Sequence, residues 1–235
     1  MNTQTLSQEP VGEIVAKDYR TAQVLRSYGL DFCCGGGRTL EKACASKKIE
    51  IKNVLSDLEA LDRSDNTGDN YNEWSLDFLA DYIVNKHHTY VRKMLPEINF
   101  YSEKVARVHG ERDPELYDIL QRVRLLREEM IGHLQKEEQE LFPQIKAMVQ
   151  TSKAGEVREA VVEVLEEEHD KAGALMAEIE ELTNGFNPPK NACASYRVLF
   201  QNLEGFQEDL HKHVHLENNI LFPKALKFEA SLNGH

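Results

Sequence analysis

Two stretches of this chain, far apart in sequence, repeat one pattern: His133 to Pro143 reads HLQKEEQELFP, and His213 to Pro223 reads HVHLENNILFP. In each, a histidine is followed four positions on by a glutamate (Glu137, Glu217) and then by Leu-Phe-Pro. At ~100° per residue, positions i and i+4 of a helix lie about 40° apart and one turn along the axis, so imidazole and carboxylate share a face. Two such faces, if they meet, can hold a pair of metal ions.

The surrounding periodicity says that they do meet. After residue 70 the chain shows almost no strand-like alternation, and breakers separate four long periodic segments, roughly 74–110, 113–149, 154–183 and 192–228. Asp113-Pro114, Thr151-Ser152 and the run from Asn184 to Asn191 mark the turns. Four long helices with short connections imply an antiparallel, up-down-up-down four-helix bundle.

Within the second segment Leu116, Leu120, Val123, Leu126 and Met130 lead at three- and four-residue steps into His133, Glu137, Leu141 and Ile145. The fourth repeats this through Leu199, Leu203, Phe206, Leu210, His213, Glu217 and Leu221. In the third, Val157, Val161 and Leu165 lead to His169, and in the first Ala80 and Val84 lead to His88, although His87 fits a neighbouring stripe through Leu79 and Ile83. Each helix therefore aims a histidine inward. His133 and His169 are also equally far from the turn near residue 151, which places them at one level.

A buried carboxylate costs several kcal/mol unless it is paired or bound to a metal. Four histidines and two glutamates exceed the four ligands of a tetrahedral zinc site. They suit two octahedral ions, each taking two histidines, with both glutamates and a solvent oxide or hydroxide bridging and one position open to O2 or NO. Nitrogen and oxygen ligands without thiolate hold Fe(II) only moderately, so iron in such a site can be given up.

Ahead of the bundle, residues 1–62 read as a small helical domain, and the polar run at 63–70 as its linker to 71–235. Val11, Ile14, Val15, Ala22 and Leu25 predict one amphipathic helix stopped by Gly29; Thr39 is placed to cap a second, and Ile51 to Leu61 to form a third. Between them lies Cys33-Cys34-Gly35-Gly36-Gly37. Adjacent cysteines close a disulfide only through a strained ring, so redox or metal-transfer chemistry fits them better. Backbone N–H groups and a helix start nearby would favour the thiolate. Cys44 and Cys193 carry no expectation, and His109, His211 and His215 read as surface or supporting residues. Glu129 and Glu168 read first as a solvated face and second as acids that support the site or line a channel to it.

A formal net charge of −12 offers no basic stripe for nucleic acid. No apolar run approaches the ~18 residues a bilayer span requires, and Met1 to Pro10 lacks the features of a signal peptide, so the expected location is the cytoplasm, away from membranes.

These residues resemble the repair-of-iron-centres (RIC) di-iron proteins, whose main domain is hemerythrin-like. The resemblance rests on Tyr-Gly-Leu-Asp-Phe-Cys-Cys-Gly-Gly at 28–36, His-His-Thr-Tyr-Val-Arg at 87–92, and Glu-Glu-His-Asp at 167–170, together with the twinned His-x-x-x-Glu of which the second copy continues into Asn218-Asn219. It implies an all-α, hemerythrin-like four-helix bundle preceded by a small helical domain. It also implies two iron ions held by His88, His133, Glu137, His169, His213 and Glu217, with the glutamates bridging. His88 is preferred over His87 because the family's ligand stands four before an arginine, here Arg92. The implied activity is repair of iron-sulfur clusters damaged by nitrosative or oxidative stress, by supplying iron, with Cys33 and Cys34 taking a functional part. Damaged iron-sulfur proteins are then the acceptors, NO or O2 the small ligands, and a homodimer the assembly to consider. The alternatives are an O2- or NO-binding sensor and an NO reductase.

Overall fold

The computed structural model describes residues 6–61, 70–154, 157 and 159–233. Nearly all of the run at 63–70, expected as a linker, falls outside the described residues. By its internal contacts the chain divides into two compact units, Met1–Leu79 with Lys212–His235, and Ala80–His211. This division does not follow chain order, because the last helix groups with the N-terminal residues.

In the first unit, helices α1 (Val11–Lys17), α2 (Thr21–Ser27), α3 (Leu40–Ser46) and α4 (Ile51–Ala60) follow one another. The single helix expected from Val11 to Tyr28 is thus broken in two. Asp18 is the cause: it is extended (φ −153°, ψ 101°), and its carboxylate accepts from the backbone N–H of Arg20 and from the Arg20 guanidinium. Its carbonyl meanwhile accepts from the Thr21 hydroxyl at 2.7 Å. Such local side-chain bonds compete with a helix ladder. The apolar spacing persists across the turn, so Val11, Ile14, Val15, Ala22 and Leu25 are all still buried. Thr39 caps α3 as expected, its hydroxyl accepting from Lys42 N–H. Helix α1 packs on the turn Glu217–Leu221 at the other end of the chain.

The remaining helices are α5 (Leu76–Ile83), α6 (Thr89–His109), α7 (Glu115–Lys136), α8 (Phe142–Thr151), α9 (Glu159–Leu182), α10 (Ala194–Leu216) and α11 (Phe222–Asn233). They make four rods, α5–α6, α7–α8, α9 and α10–α11, matching the four expected segments except that α9 begins later than 154. The side chain of Val161, part of the expected stripe there, lies outside what the structure describes.

Cross-rod contacts within the second unit give the topology. Arg124 pairs with Glu103, and Lys146 with Asp81. The numbers rise on one rod as they fall on the other, so the rods run antiparallel. Arg122 with Glu178 and Lys136 with Glu168 do the same for the second and third rods. Tyr90 against Phe206, Glu97 against Asn202 and His87 against Asp209 close the fourth rod onto the first. Exposed ion pairs of this kind, screened by solvent, add little to stability. The stability comes from buried stripes such as Leu116, Val123, Leu126 and Met130, at ~1.5–3 kcal/mol for each fully buried side chain. The product is a helical bundle.

Three rods share a local irregularity. A π-helical turn interrupts each, at Val84–His88, Glu137–Leu141 and Glu217–Leu221. In the twinned stretches the cause is the proline of Leu-Phe-Pro, which has no N–H and whose ring would strike the carbonyl four residues back. The preceding N–H reaches one residue further instead: Phe142 donates to the Glu137 carbonyl and Phe222 to that of Glu217. In the first rod no proline directly follows the turn, Pro96 lying further along α6, and the Thr89 hydroxyl joins its own N–H on the Val84 carbonyl. Such widened turns concentrate at functional sites.

Candidate metal centre

Each π turn carries one of the residues that the sequence singles out: His88, Glu137 and Glu217. In the second unit His88, His133, Glu137 and His169 are all buried. One oxygen of Glu137, Oε2, lies 3.3 Å from His88 Nε2 and 3.2 Å from His133 Nε2. His169 Nε2 in turn lies 2.8 Å from His133 Nε2.

The far sides of these rings are held by acids. Glu138 Oε1 is 2.7 Å from His88 Nδ1, and Glu168 Oε2 is 3.0 Å from His133 Nδ1. A carboxylate on Nδ1 keeps the proton there and turns a lone pair on Nε2 towards the centre, as metal-bound histidines require. The acids are themselves anchored, Glu138 by Arg92 at 2.7 Å and Glu168 by Lys136. Burial pushes both carboxyls up, but for Glu138 the bonds from Arg92 and His88 outweigh it, and for Glu168 those from Lys136 and His133 do; both end below the ordinary range.

In the first unit His213 and Glu217 are fully buried, with Nε2 to Oε1 at 2.9 Å. The i, i+4 geometry read from the sequence is thus present in both copies. Phe142, from the Leu-Phe-Pro tail, stacks on the His88 ring with centroids 5.7 Å apart.

The donor set fits a metal. Ligand atoms sharing an octahedral ion at ~2.1 Å stand about 3 Å from one another, and the nitrogen–oxygen and nitrogen–nitrogen separations here are of that size. Two imidazole Nε2 atoms face each other, and at most one could carry a proton between them. A cation between such groups offsets the cost of burying the carboxylates.

Several supporting residues depart from the sequence reading. Glu168, for which the solvated face is the first reading and support of the site the second, holds His133. Glu138 carries no periodic signal that marks it, since it merely follows Glu137. His87 is buried too, but its Nδ1 meets Asp209 at 3.0 Å. His215, read as surface or supporting, is fully buried between Tyr19 and Phe32, and burial pushes it down to about 4, so it is neutral. Cys193 lies 3.2 Å from His109 Nε2, while Cys44 is buried, its thiol pushed up by burial.

The expected thiolate is not what the loop favours. Asp31 takes the backbone N–H groups of Cys33, Cys34 and Gly35 for its own carboxylate, so they are not turned on the sulfurs. The Cys33 thiol is buried and lies well above its ordinary range, through its contact with the Cys34 sulfur, then burial, then the charges of Cys34 and Asp31. It is a protonated thiol at neutral pH.

Comparison with known proteins agrees with this class of site. Residues 79–225 match the family described as "Hemerythrin HHE cation binding domain", and residues 7–62 match a "Domain of Unknown function (DUF542)". The iron-sulfur cluster repair protein YtfE of Musicola paradisiaca (strain Ech703) is 34% identical over 223 residues, covering 95% of this chain and 98% of its own. Its namesake in Dickeya chrysanthemi (strain Ech1591) is 35% identical over 221 residues, covering 94% and 98%. The fold and the histidine–carboxylate cluster thus define a hemerythrin-type, metal-binding helical bundle. More narrowly, the chain belongs to the repair-of-iron-centres family. No described helix is long and apolar enough to cross a membrane.

Proposed function

We propose that this protein repairs iron-sulfur clusters damaged by nitrosative or oxidative stress, acting in the cytoplasm as a source of iron. His88, His133, Glu137, His169, His213 and Glu217 hold two iron ions in this reading, with the two glutamates bridging. The observation that carries it is the position of Glu137 Oε2, about equally near His88 Nε2 and His133 Nε2, while Glu138 and Glu168 hold the opposite faces of those rings. The names of the relatives supply the acceptors: damaged iron-sulfur proteins.

Bound iron would supply Fe(II)/Fe(III) redox chemistry, affinity for NO and O2, and the metal that a damaged cluster has lost. The residues of the chain do the rest. Glu138 and Glu168 keep protons on Nδ1 of His88 and His133, so their Nε2 atoms remain donors. Phe142 and the surrounding apolar stripe exclude bulk water. Arg92 and Lys136 fix the two outer acids from the surface. The absence of thiolate from this set keeps Fe(II) affinity moderate, as a donor needs. Residues 1–62 and 71–235 act as two modules joined through 63–70, and a homodimer is the assembly to test.

The test is to mix iron-loaded protein with an iron-sulfur enzyme whose cluster has been destroyed, together with a sulfide source, and to follow enzyme activity. Recovery that tracks loss of iron from this protein supports the donor reading. Intact bundle iron and no recovery contradicts it.

A further inference from the structure

The loop that starts at Asp31 is built around its carboxylate. Oδ1 accepts from the backbone N–H of Cys33 at 3.0 Å and of Cys34 at 3.1 Å, and Oδ2 from that of Gly35 at 2.9 Å. A carboxylate has about four lone-pair sites; three take backbone N–H groups and the fourth takes the Cys33 thiol, so loss of the thiol proton frees that place for a cation. Both thiols stand beside it. Cys33 Sγ lies 3.3 Å from Asp31 Oδ1 and 3.9 Å from Cys34 Sγ. One ligand atom from each of the three residues lies within 4.8 Å of the other two.

These separations have a chemical meaning. A tetrahedral thiophilic ion with metal–sulfur bonds of ~2.3 Å and metal–oxygen bonds of ~2.0 Å has a sulfur–sulfur edge of about 3.8 Å and a sulfur–oxygen edge of about 3.5 Å. The loop already holds the sulfur–sulfur edge and the edge from the Cys33 sulfur to Asp31 Oδ1 to within ~0.2 Å of those values. A disulfide would need sulfurs ~2.05 Å apart, and both cysteines are free. The loop is also fixed from outside: Asn219 Nδ2 donates to the carbonyls of Phe32 and Cys33, and Gly12 and Gly36 leave room for its side chain. Cys33 is buried, Cys34 is half-buried and Asp31 is exposed, so a cation held there keeps one side towards solvent.

We propose that Asp31, Cys33 and Cys34 form a second metal site, for one thiophilic divalent ion, with its fourth position open to water or to a thiolate of a partner protein. Binding forms two metal–sulfur bonds and one metal–oxygen bond and releases the two thiol protons to solvent; neither metal nor sulfur changes oxidation state. Two thiolates make a softer donor set than the nitrogen–oxygen cluster of the bundle. Three ligands and an open vertex suit a station from which metal passes by ligand exchange to an incoming thiolate. That the cargo is Fe(II) rests on the repair function proposed above; the ligand set does not.

Cd(II) is the probe, because thiolate-to-Cd(II) charge transfer absorbs in the near ultraviolet. Full-length protein with its bundle iron retained and its thiols reduced is titrated anaerobically, with iron counted before and after. One Cd(II) per chain with that absorption is expected. The band disappears in Cys33→Ser and Cys34→Ser, persists in a Cys44→Ser/Cys193→Ser double variant, and needs at least about tenfold more Cd(II) in Asp31→Asn. No band in the unsubstituted protein, or a band that survives in Cys33→Ser and Cys34→Ser, overturns the proposal. Cd(II) binding with this pattern in protein that fails to restore a damaged cluster leaves the site standing and removes the repair reading. Cluster repair without the band removes the site alone.

Discussion

The side-chain amide of Asn219 donates to the main-chain carbonyl of Cys33 at 3.0 Å. Asn219 stands two residues after Glu217, on the same π turn, so one turn carries both a fully buried glutamate and the clamp on the cysteine loop. A second, longer bond to the Phe32 carbonyl at 3.3 Å widens the clamp. Asn219→Ala removes both donors and costs ~1–2 kcal/mol of stability in urea unfolding. Peptide mapping after timed alkylation then shows Cys33 reacting faster, while iron content is unchanged.

The fit around Asn219 also explains one of the three consecutive glycines. A Cβ on Gly36 would stand 2.1 Å from Asn219 Oδ1 and 2.8 Å from the Phe32 carbonyl, whereas one on Gly37 meets nothing within 4 Å. Gly36→Ala therefore costs ~1–3 kcal/mol, the range for overpacking, and Gly37→Ala changes the unfolding midpoint little. Equal effects at the two positions contradict the packing described.

Cys33 makes stability depend on pH on the alkaline side. Its thiol is raised well above the ordinary 9.0 in the folded protein, foremost by the Cys34 sulfur and then by burial. Above about pH 9 the unfolded chain loses this proton while the folded chain keeps it, so stability falls as pH rises towards the folded pKa; below the unfolded pKa the contribution is complete. Cys34→Ala removes the largest cause. Urea midpoints measured from neutral to alkaline pH fall less steeply in that variant, and a parallel fall in both proteins contradicts the assignment.

Glu138 and Glu168 act on metal affinity through the rings they hold. Glu138→Gln and Glu168→Gln leave the helices intact but weaken the hold on Nδ1 of His88 and His133. Each lowers iron affinity ~10–100-fold in competition with a chelator. Unchanged retention in both variants shows that the outer acids do not tune the site.

How far the sequence speaks for this structure follows from the range of each signal. The four rods and the inward histidines were legible because both depend on one angle per residue, sustained over many turns. The twinned motif told that glutamate follows histidine on one face, and His213 with Glu217 at 2.9 Å agrees. The π turns were not legible as such: Leu-Phe-Pro announces a kink, but the widened turn arises only when the phenylalanine N–H passes over the carbonyl four residues back for the one five back. Glu138 was invisible because its role depends on a ring from another rod. The break at Asp18 was hidden because its turn leaves the apolar spacing undisturbed. The thiolate expected at Cys33 failed for a related reason, since Asp31, two residues earlier, claims the N–H groups that would have stabilised it.

The central claim is that iron leaves this protein for a damaged cluster. Protein loaded with an iron isotope that Mössbauer spectroscopy detects, incubated with an unlabelled, cluster-depleted iron-sulfur enzyme and sulfide, tests it directly. The account predicts two labelled ions per chain at the start, and afterwards the label in a rebuilt, active cluster, with transfer lost in His133→Ala and Glu137→Ala. Label that stays with this protein while the enzyme remains inactive contradicts it.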